Sequence, residues 1–571
     1  MTVHTFDAVV IGTGAAGYSA ACRLKEAGVD VAIVTEGKNC GTSRNTGSDK
    51  QTYYKLSLGG ETPDSPRKMA RDLFEGGSMD GDNALCEAAL STRCFFALCE
   101  MGVPFPHNRY GEFVGYQTDH DTTGRATSAG PLTSKFMTEA LEARAEALCI
   151  PLFNSHIAVE ILKSKGAACG VLCLHRGEPV AFRCRDVILA TGGPAGIWAD
   201  SVYPACHRGS SSLALRAGAV MQNLGLWQFG LASTSPRWNV SGTYMQVLPR
   251  FVSVDRDGTE HDFLSEAFAD PYEGLLMTFL KGYQWPFDPK KATHGSSRID
   301  LLVHRERVER GRRVYLDFTR NPFDIDFSRL PEEAREYLAR GNALGGTPIE
   351  RLERLNAPAI ELYRSKGVSL ETEYLEIALC AQHNNGGVAV DAFWQSTVPH
   401  LFAVGECAGT HGIARPGGSA LNAGQVGALR AAQFITCHPG TLIEEERFAA
   451  LCEAVPPVRL GTEPEAVKKV QRAMSATALA LPKPEGMAAA LEEIAPLWKD
   501  CEDAVLRDIA LTASAVLTAL LAPPPTKETV QELRQSGDGF STRLRPVRPI
   551  PDEKDFFEVI WKGYRENKNV F

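Results

Sequence analysis

No C-x-x-C pair, no C-x-x-C-H and no ferredoxin-like spacing occurs among the fifteen cysteines of this 571-residue chain. That excludes a recognisable iron–sulfur cluster or c-type haem of its own, and no metal site is expected. A long Lys/Arg block is also lacking and the formal net charge is −9, so neither a nucleic-acid stripe nor an anionic-membrane patch is indicated. Long hydrophobic runs are scarce. Near the C-terminus Ile509–Ala522 is interrupted by Thr512, Ser514 and Thr518; it falls short of the ~20 residues of a membrane span and is expected as a buried helix. No charged n-region with an apolar h-region precedes the strand-like run Phe6–Gly12, and no twin-arginine start is present, so a cytoplasmic location is expected.

What is there is an ordinary globular composition, 44% apolar and 23% charged, in a chain beyond the roughly 250–300 residues at which single cores stop growing. Two or more domains are expected. The β-branched run Phe6–Ile11 feeds into Gly12-Thr13-Gly14-Ala15-Ala16-Gly17 and then a helical pattern over Tyr18–Ala27. Gly12 permits a sharp turn, Gly14 lets the backbone approach a pyrophosphate, Gly17 allows close helix–strand packing, and the phosphate charge would face the helix dipole. A second strand, Val31–Thr35, ends in Glu36, about where an acid accepts ribose hydroxyls.

Two further segments distinguish FAD from NAD. Asp186–Gly193 resembles the strand-plus-A-T-G-G element of flavoproteins with two dinucleotide-binding folds, and Leu401–Ala408 resembles their Gly-acid strand. No second G-x-G-x-x-G follows a strand mid-chain, so a nicotinamide domain is not expected. His411-Gly412-Ile413-Ala414-Arg415-Pro416-Gly417-Gly418-Ser419-Ala420-Leu421 is similar to the H-G-A-N-R-L-G-G-N-S-L motif of the succinate dehydrogenase, fumarate reductase and L-aspartate oxidase flavoproteins. Asp121–Arg125 resembles the D-x-T-G-R segment of that family, Trp227-Gln228-Phe229 its W-Q-F, and Val314–Phe318 its V-Y-L-D-L strand.

The resemblance implies an α/β architecture: a two-dinucleotide-binding, Rossmann-like FAD domain (1–225 and 385–445), an inserted α+β capping domain (226–384), and a C-terminal helical region with a tail (446–571). Within that last region the basic stretch Arg543–Pro549 is expected as a strap on the protein's own surface, with a subunit interface as the alternative. It also implies that Ala15, Ala16, Ser43, Thr191, Gly192, Glu406, Ser419 and Leu421 join Gly12, Gly14, Gly17 and Glu36 around FAD, with Glu406 on the ribityl hydroxyls. Arg415 would clamp a substrate carboxylate. The helix beginning near Ser419 would point its positive end at the flavin.

Departures from the family pattern carry as much information. Thr42–Thr46 has no histidine, so FAD is expected to be non-covalent. Gly230 stands where the family has its dicarboxylate-binding histidine, and Gln382 replaces the second one, with His383 at the neighbouring tyrosine position. Arg298 is the best match to the proton-delivering arginine, with Asp300 and Glu306 as relay members and Arg250 as the rival. The expected activity is hydride transfer between flavin N5 and an activated carbon, reducing a C=C bond or reversing that reaction. The expected small-molecule substrate is larger and less charged than fumarate, Gly230 leaving room beside Trp227 and Phe229, unless His120, His383 or Arg125 restores a dicarboxylate site. A separate electron donor or acceptor protein is expected. The alternatives are an amine or amino-acid oxidase of the L-aspartate oxidase kind and a flavin-loaded electron-transfer or scaffold subunit.

Overall fold

The computed structural model describes residues 1–566 apart from 119 and 122. Thr122 of the Asp121–Arg125 segment and the tail end at Phe571 lie outside the described residues. At the centre is a five-stranded parallel sheet in the order Leu401–Ala403, Asp186–Leu189, Ala8–Ile11, Val31–Val34, Leu152–Phe153. Its middle strands are buried along their whole length, as unbroken β-branched runs covered on both faces require. All of them end on one edge, and the Gly12 turn, Glu36, Thr191 and Glu406 follow those ends. That edge is where ligands of open α/β sheets bind.

Two helices meet there, Ala15–Glu26 and Ser419–Cys437. Small residues let them approach: a Cβ on Gly424 would sit 3.4 Å from Ala16 Cβ. A second sheet pairs Thr2–Thr5 with Glu178–Arg183, Ala167–His175 and His156–Ser164. The third is a six-stranded antiparallel sheet drawn from residues 227–384, with Trp227–Thr234 beside Leu375–Asn384.

The C-terminal region carries helices over the stretches where they are expected and forms strands where a basic strap is expected. Glu445–Glu453, Pro464–Thr477, Pro484–Ile494 and Ala504–Leu521 are helices, but Thr529–Ser536 and Gly539–Pro546 form a β-hairpin that joins Met221–Gln222 and Gly387–Val388 in a fourth sheet. The turn is Gly537-Asp538, with Gly537 at φ 57°, a two-residue connection that needs a left-handed residue. The charges that make this stretch look like a basic strap pair across the strands, Arg543 and Arg545 both reaching Glu532 at 2.8 and 2.7 Å. The helix Ala504–Leu521 is long and apolar enough to cross a membrane, yet Leu506, Ile509, Leu511, Val516 and Leu517 are all buried inside the protein.

The hairpin and the chain after it lie on the chain's own surface. Arg545 grips both oxygens of Asp80, at 2.8 and 2.7 Å, and the Arg548 backbone N–H donates to the same carboxylate at 2.8 Å. Asp80 is fully buried, and its arginine partners hold it below the usual carboxylate range against the opposing effect of burial. Removing one partner of a buried ion pair leaves a desolvated charge without compensation. Arg545→Ala is therefore expected to lower stability by about 3 kcal/mol, with Asp80→Asn added to it restoring part of the loss. A chemical denaturation midpoint unchanged by Arg545→Ala would refute this anchoring role.

Candidate active site

One continuous cavity of about 1240 Å³ runs along the strand ends and out past the antiparallel sheet. At one end it is lined by Gly12, Gly14, Ala15, Ala16, Glu36, Ser43, Thr191 and Gly192, and further along by Glu406, Gly418 and Leu421. Gly12 has φ +117° and a Cβ there would lie 2.3 Å from the Ala190 carbonyl oxygen, so the turn tolerates no side chain. Gly17 faces away from the cavity and packs on Gly12, its would-be Cβ 2.2 Å from the Gly12 carbonyl oxygen. Gly14 caps the helix Ala15–Glu26 in extended backbone, and the Ala15 N–H donates to Ser43 Oγ at 3.3 Å.

The donor set fits a dinucleotide. Two helix N-termini face the cavity, and the hydroxyls of Thr191 and Ser419 are buried without a protein partner. Ser419 is buried and does not itself line the cavity, though its chain neighbours Gly418, Ala420 and Leu421 do. Glu36 is ion-paired with Arg208 at 2.6 Å, a partner the local sequence does not reveal.

The substrate end is built by three elements. The Trp227–Thr234 and Leu375–Asn384 strands are paired with a register shift between Gln228 and Phe229: Gln228 faces His383, Phe229 faces Ala381, and Gln382 is the extra residue. A bulge of this kind re-aims side chains. Here Gln382 turns to donate its Nε2–H to the Gly230 carbonyl at 2.8 Å. The loop before Ser419 then brings in Arg415, whose Nη2 donates to Gln228 Oε1 at 2.8 Å and whose Nε donates to Asn385 Oδ1 at 3.3 Å. Burial lowers the Arg415 pKa to about 10, against the opposing pull of Glu406, Tyr203 and Glu87, so the guanidinium stays cationic at neutral pH.

His383 is held neutral, its pKa driven well below the usual value by burial and then by Arg415 and His411. Its Nδ1 lies 3.0 Å from Asn385 Oδ1. Asn385 Nδ2 donates to the Gly412 carbonyl at 2.9 Å, so Oδ1 is the acceptor and His383 carries its proton on Nδ1. Its Nε2, 3.9 Å from Glu406 Oε1, is then a bare acceptor. Glu406 accepts from the Tyr203 hydroxyl and from the Asn384 N–H, and burial raises its pKa to about 7.

Other expected site residues lie elsewhere. Arg298 stacks on Phe268 at 4.3 Å and reaches the Ala267 carbonyl and Glu273; Arg250 is tied to Glu260 at 2.8 Å and Asp317 at 3.4 Å. Neither lines the cavity. Asp300 is paired with Lys281 at 2.6 Å, both fully buried, and Glu306 is engaged by Ser253, Arg310 and Arg312. Arg125 is locked by Asp64 and Asp72 and does not reach the cavity, whereas His120 lines it.

The expected room at Gly230 is not there. A Cβ on Gly230 would sit 2.6 Å from Trp285 Nε1, because the indole occupies the space the missing side chain vacates. Trp285 belongs to a segment laid across the strand, fixed by the Phe287 N–H donating to the Phe229 carbonyl at 2.7 Å. Trp285 and Asn385 were assigned no role from sequence. The only signal for Trp285 was the unfilled glycine itself.

This cavity, with its glycine turn and two facing helix ends, is a flavin-dinucleotide site. The family model described as FAD binding domain matches residues 7–421, and the chain belongs to that family: it is an FAD-dependent oxidoreductase of the fumarate reductase and L-aspartate oxidase kind. Among its relatives are a component of the fumarate reductase (CoM/CoB) of Methanothermobacter marburgensis, 26% identical with 78% of this chain and 76% of that protein covered, and L-aspartate oxidase of Streptomyces coelicolor, 25% identical with 87% and 81% covered. The fold is shared with Mycobacterium smegmatis Sdh1 in complex with UQ1, at a TM-score of 0.73 and 19% identity over 96% of both chains.

Glu406 gives the flavin-free protein a pH dependence of definite sign. Its folded pKa of about 7 lies above the ordinary 4.5, so between those values the folded chain holds a proton that the unfolded chain releases. The stability this group contributes is fully present below pH 4.5 and is lost as pH rises through 7. Glu406→Gln keeps the shape and removes the titration. Between pH 5 and 8 the FAD-free variant should gain stability relative to FAD-free wild type, by up to about 3 kcal/mol. A difference that is flat with pH would show that Glu406 is ionised throughout.

Proposed function

We propose that the protein moves hydride between FAD and a carbon adjacent to a carboxylate or carbonyl held by Arg415, reducing an activated C=C bond or running the reverse dehydrogenation. The carrying observation is the orientation of Arg415: Gln228 and Asn385 fix the guanidinium on the wall of the same cavity that holds the dinucleotide cradle. FAD, when bound, supplies the hydride acceptor or donor. The chain's residues supply the rest. Arg415 binds and polarises the substrate, the Trp227 and Trp285 rings keep water from it, and the 227–384 sheet acts as the cap. Arg298 and Arg250, outside the cavity, take no part.

Fumarate fits this wall poorly. A second carboxylate would meet Gly230 and neutral Gln382 where the family pattern has two histidines, with a neutral His383 beside them, and an unpartnered buried anion costs several kcal/mol. The substrate is a less charged compound, and the cavity's run outward past Tyr283 and Tyr337 accommodates one longer than four carbons. The L-aspartate oxidase relatives support a second reading, oxidation of an amine, which ammonia release would reveal. A scaffold role is disfavoured by the oriented Arg415.

FAD is bound non-covalently on this reading, since residues 42–46 carry no histidine. Acid precipitation should release all flavin as free FAD. Arg415→Lys should retain that FAD yet lose about a hundredfold or more in turnover of whichever 2-enoate the wild type reduces with reduced viologen, because an ammonium cannot reproduce the planar clamp. Flavin left on the polypeptide, or undiminished turnover, would each refute its part. We further propose that electrons arrive from a separate protein, as the sequence has neither cluster motifs nor a second G-x-G-x-x-G fingerprint; rapid flavin reduction by NADH alone would overturn that.

A further inference from the structure

Four polar atoms of cavity-lining residues are buried with no protein partner: Nε1 of Trp227, Nε1 of Trp285, Oε1 of Gln382 and Nε2 of His383. All four residues line the cavity. A buried donor or acceptor left unmade costs about 1–3 kcal/mol, and native structures leave few of them. Three of them come together, Trp285 over Gly230, Gln382 bonded to the Gly230 carbonyl and His383 opposite the Gln228 that holds Arg415, and they point to a polar ligand that completes them.

Their chemistry is specified. Indole N–H groups only donate. Gln382 spends its Nε2 on the Gly230 carbonyl, which fixes the amide with Oε1, the acceptor, unsatisfied. His383 carries its proton on Nδ1, facing Asn385, so Nε2 accepts. Beside the charge of Arg415, Trp285, Gln382 and His383 therefore offer one donor and two acceptors, all neutral. Among the cations elsewhere on the lining, Arg208 is paired with Glu36, Lys50 and Lys290 are exposed to solvent, and Lys291 is half-buried on the 289–291 turn. A carboxylate has no donor for Gln382 or His383, and a methyl group would satisfy none of the three. A carboxamide has a carbonyl for an indole N–H and an NH2 for an acceptor.

We propose that Trp285 and Gln382, with His383 beside them, form a subsite for a neutral amide group, so that the substrate is a monoanion carrying its carboxylate on Arg415 and an amide-type donor–acceptor edge here. The inference rests on the reading of Arg415 as the carboxylate clamp. Gly230 makes the subsite: any side chain there would displace the Trp285 indole.

Three probes of one chain length test it: fumaramate, fumarate and crotonate, which present an amide, a carboxylate and a methyl group at the same place. Dissociation constants are read from flavin difference spectra of the FAD-loaded protein. Fumaramate should bind about tenfold more tightly than either of the others, the worth of one satisfied buried hydrogen bond. Trp285→Phe, which keeps a ring over Gly230 and removes the donor, should reduce the fumaramate-to-crotonate affinity ratio about fivefold or more, its FAD content reporting that it is folded. Fumarate equalling fumaramate, a ratio unmoved by Trp285→Phe, or no binding of fumaramate would each overturn the subsite. Arg415→Lys should weaken all three probes alike. If it weakens none, the clamp reading fails, while the Trp285→Phe ratio still decides the subsite on its own.

Discussion

The structure around the cavity depends on keeping one guanidinium charged while taking it out of water. Arg415 is drawn toward neutrality by burial, and Gln228, Asn385 and the nearby Glu406 and Glu87 resist that. The compensation is only partial. Glu87 is buried and Glu406 largely so, and both have raised pKa values, about 7 for Glu406 and about 8 for Glu87, so neither is a full countercharge at neutral pH. A fully neutralised arginine would have little left for an anionic ligand, and an uncompensated one would destabilise the fold. A half-ionised Glu406 and a mostly protonated Glu87 leave a positive potential in the cavity for a carboxylate to complete.

That potential also sets the state of its neighbours. His383 and His411 stack edge to face, 4.9 Å apart, both buried and both with depressed pKa values, His411 to about 3. A second cation beside Arg415 would repel it at short range in a low-dielectric wall. The imidazoles are consequently neutral hydrogen-bonding groups, and the Asn385 amide dictates the tautomer of His383. A histidine at this place need not mean a positive charge; the arginine next to it decides.

How much of this was legible in the sequence follows from which interactions are local. The Gly12–Gly17 turn, the strand before it and the helix after it are set by backbone conformations that neighbouring residues impose, and a glycine at φ +117° with no room for a Cβ is a requirement that a motif records directly. The Arg208 partner of Glu36 and the register shift that leaves Gln382 unpaired depend on strands and loops far apart in the chain, where no local periodicity carries a trace. The hairpin over residues 529–546 was hidden for another reason. Glu532, Arg543 and Arg545 satisfy one another on one face of the hairpin while Leu533 and Leu544 lie on the other, so the period-two alternation of a half-buried strand is present but sits inside a run of arginines and prolines that reads as a basic strap.

Gly230 and Trp285 show the same limit at the site itself. Taken alone, a glycine in place of a larger residue means added volume. In a close-packed interior volume seldom stays empty, because the unfilled lining forfeits dispersion contacts, and here the nearby segment anchored on Phe229 delivers an indole into the gap. The outcome is a change of chemistry rather than of size: an aromatic N–H donor beside an amide acceptor, on a wall where Arg415 is already the fixed positive group. Two substitutions distant in sequence thereby act as one, and the substrate's second polar group is selected by hydrogen-bond polarity and not by charge.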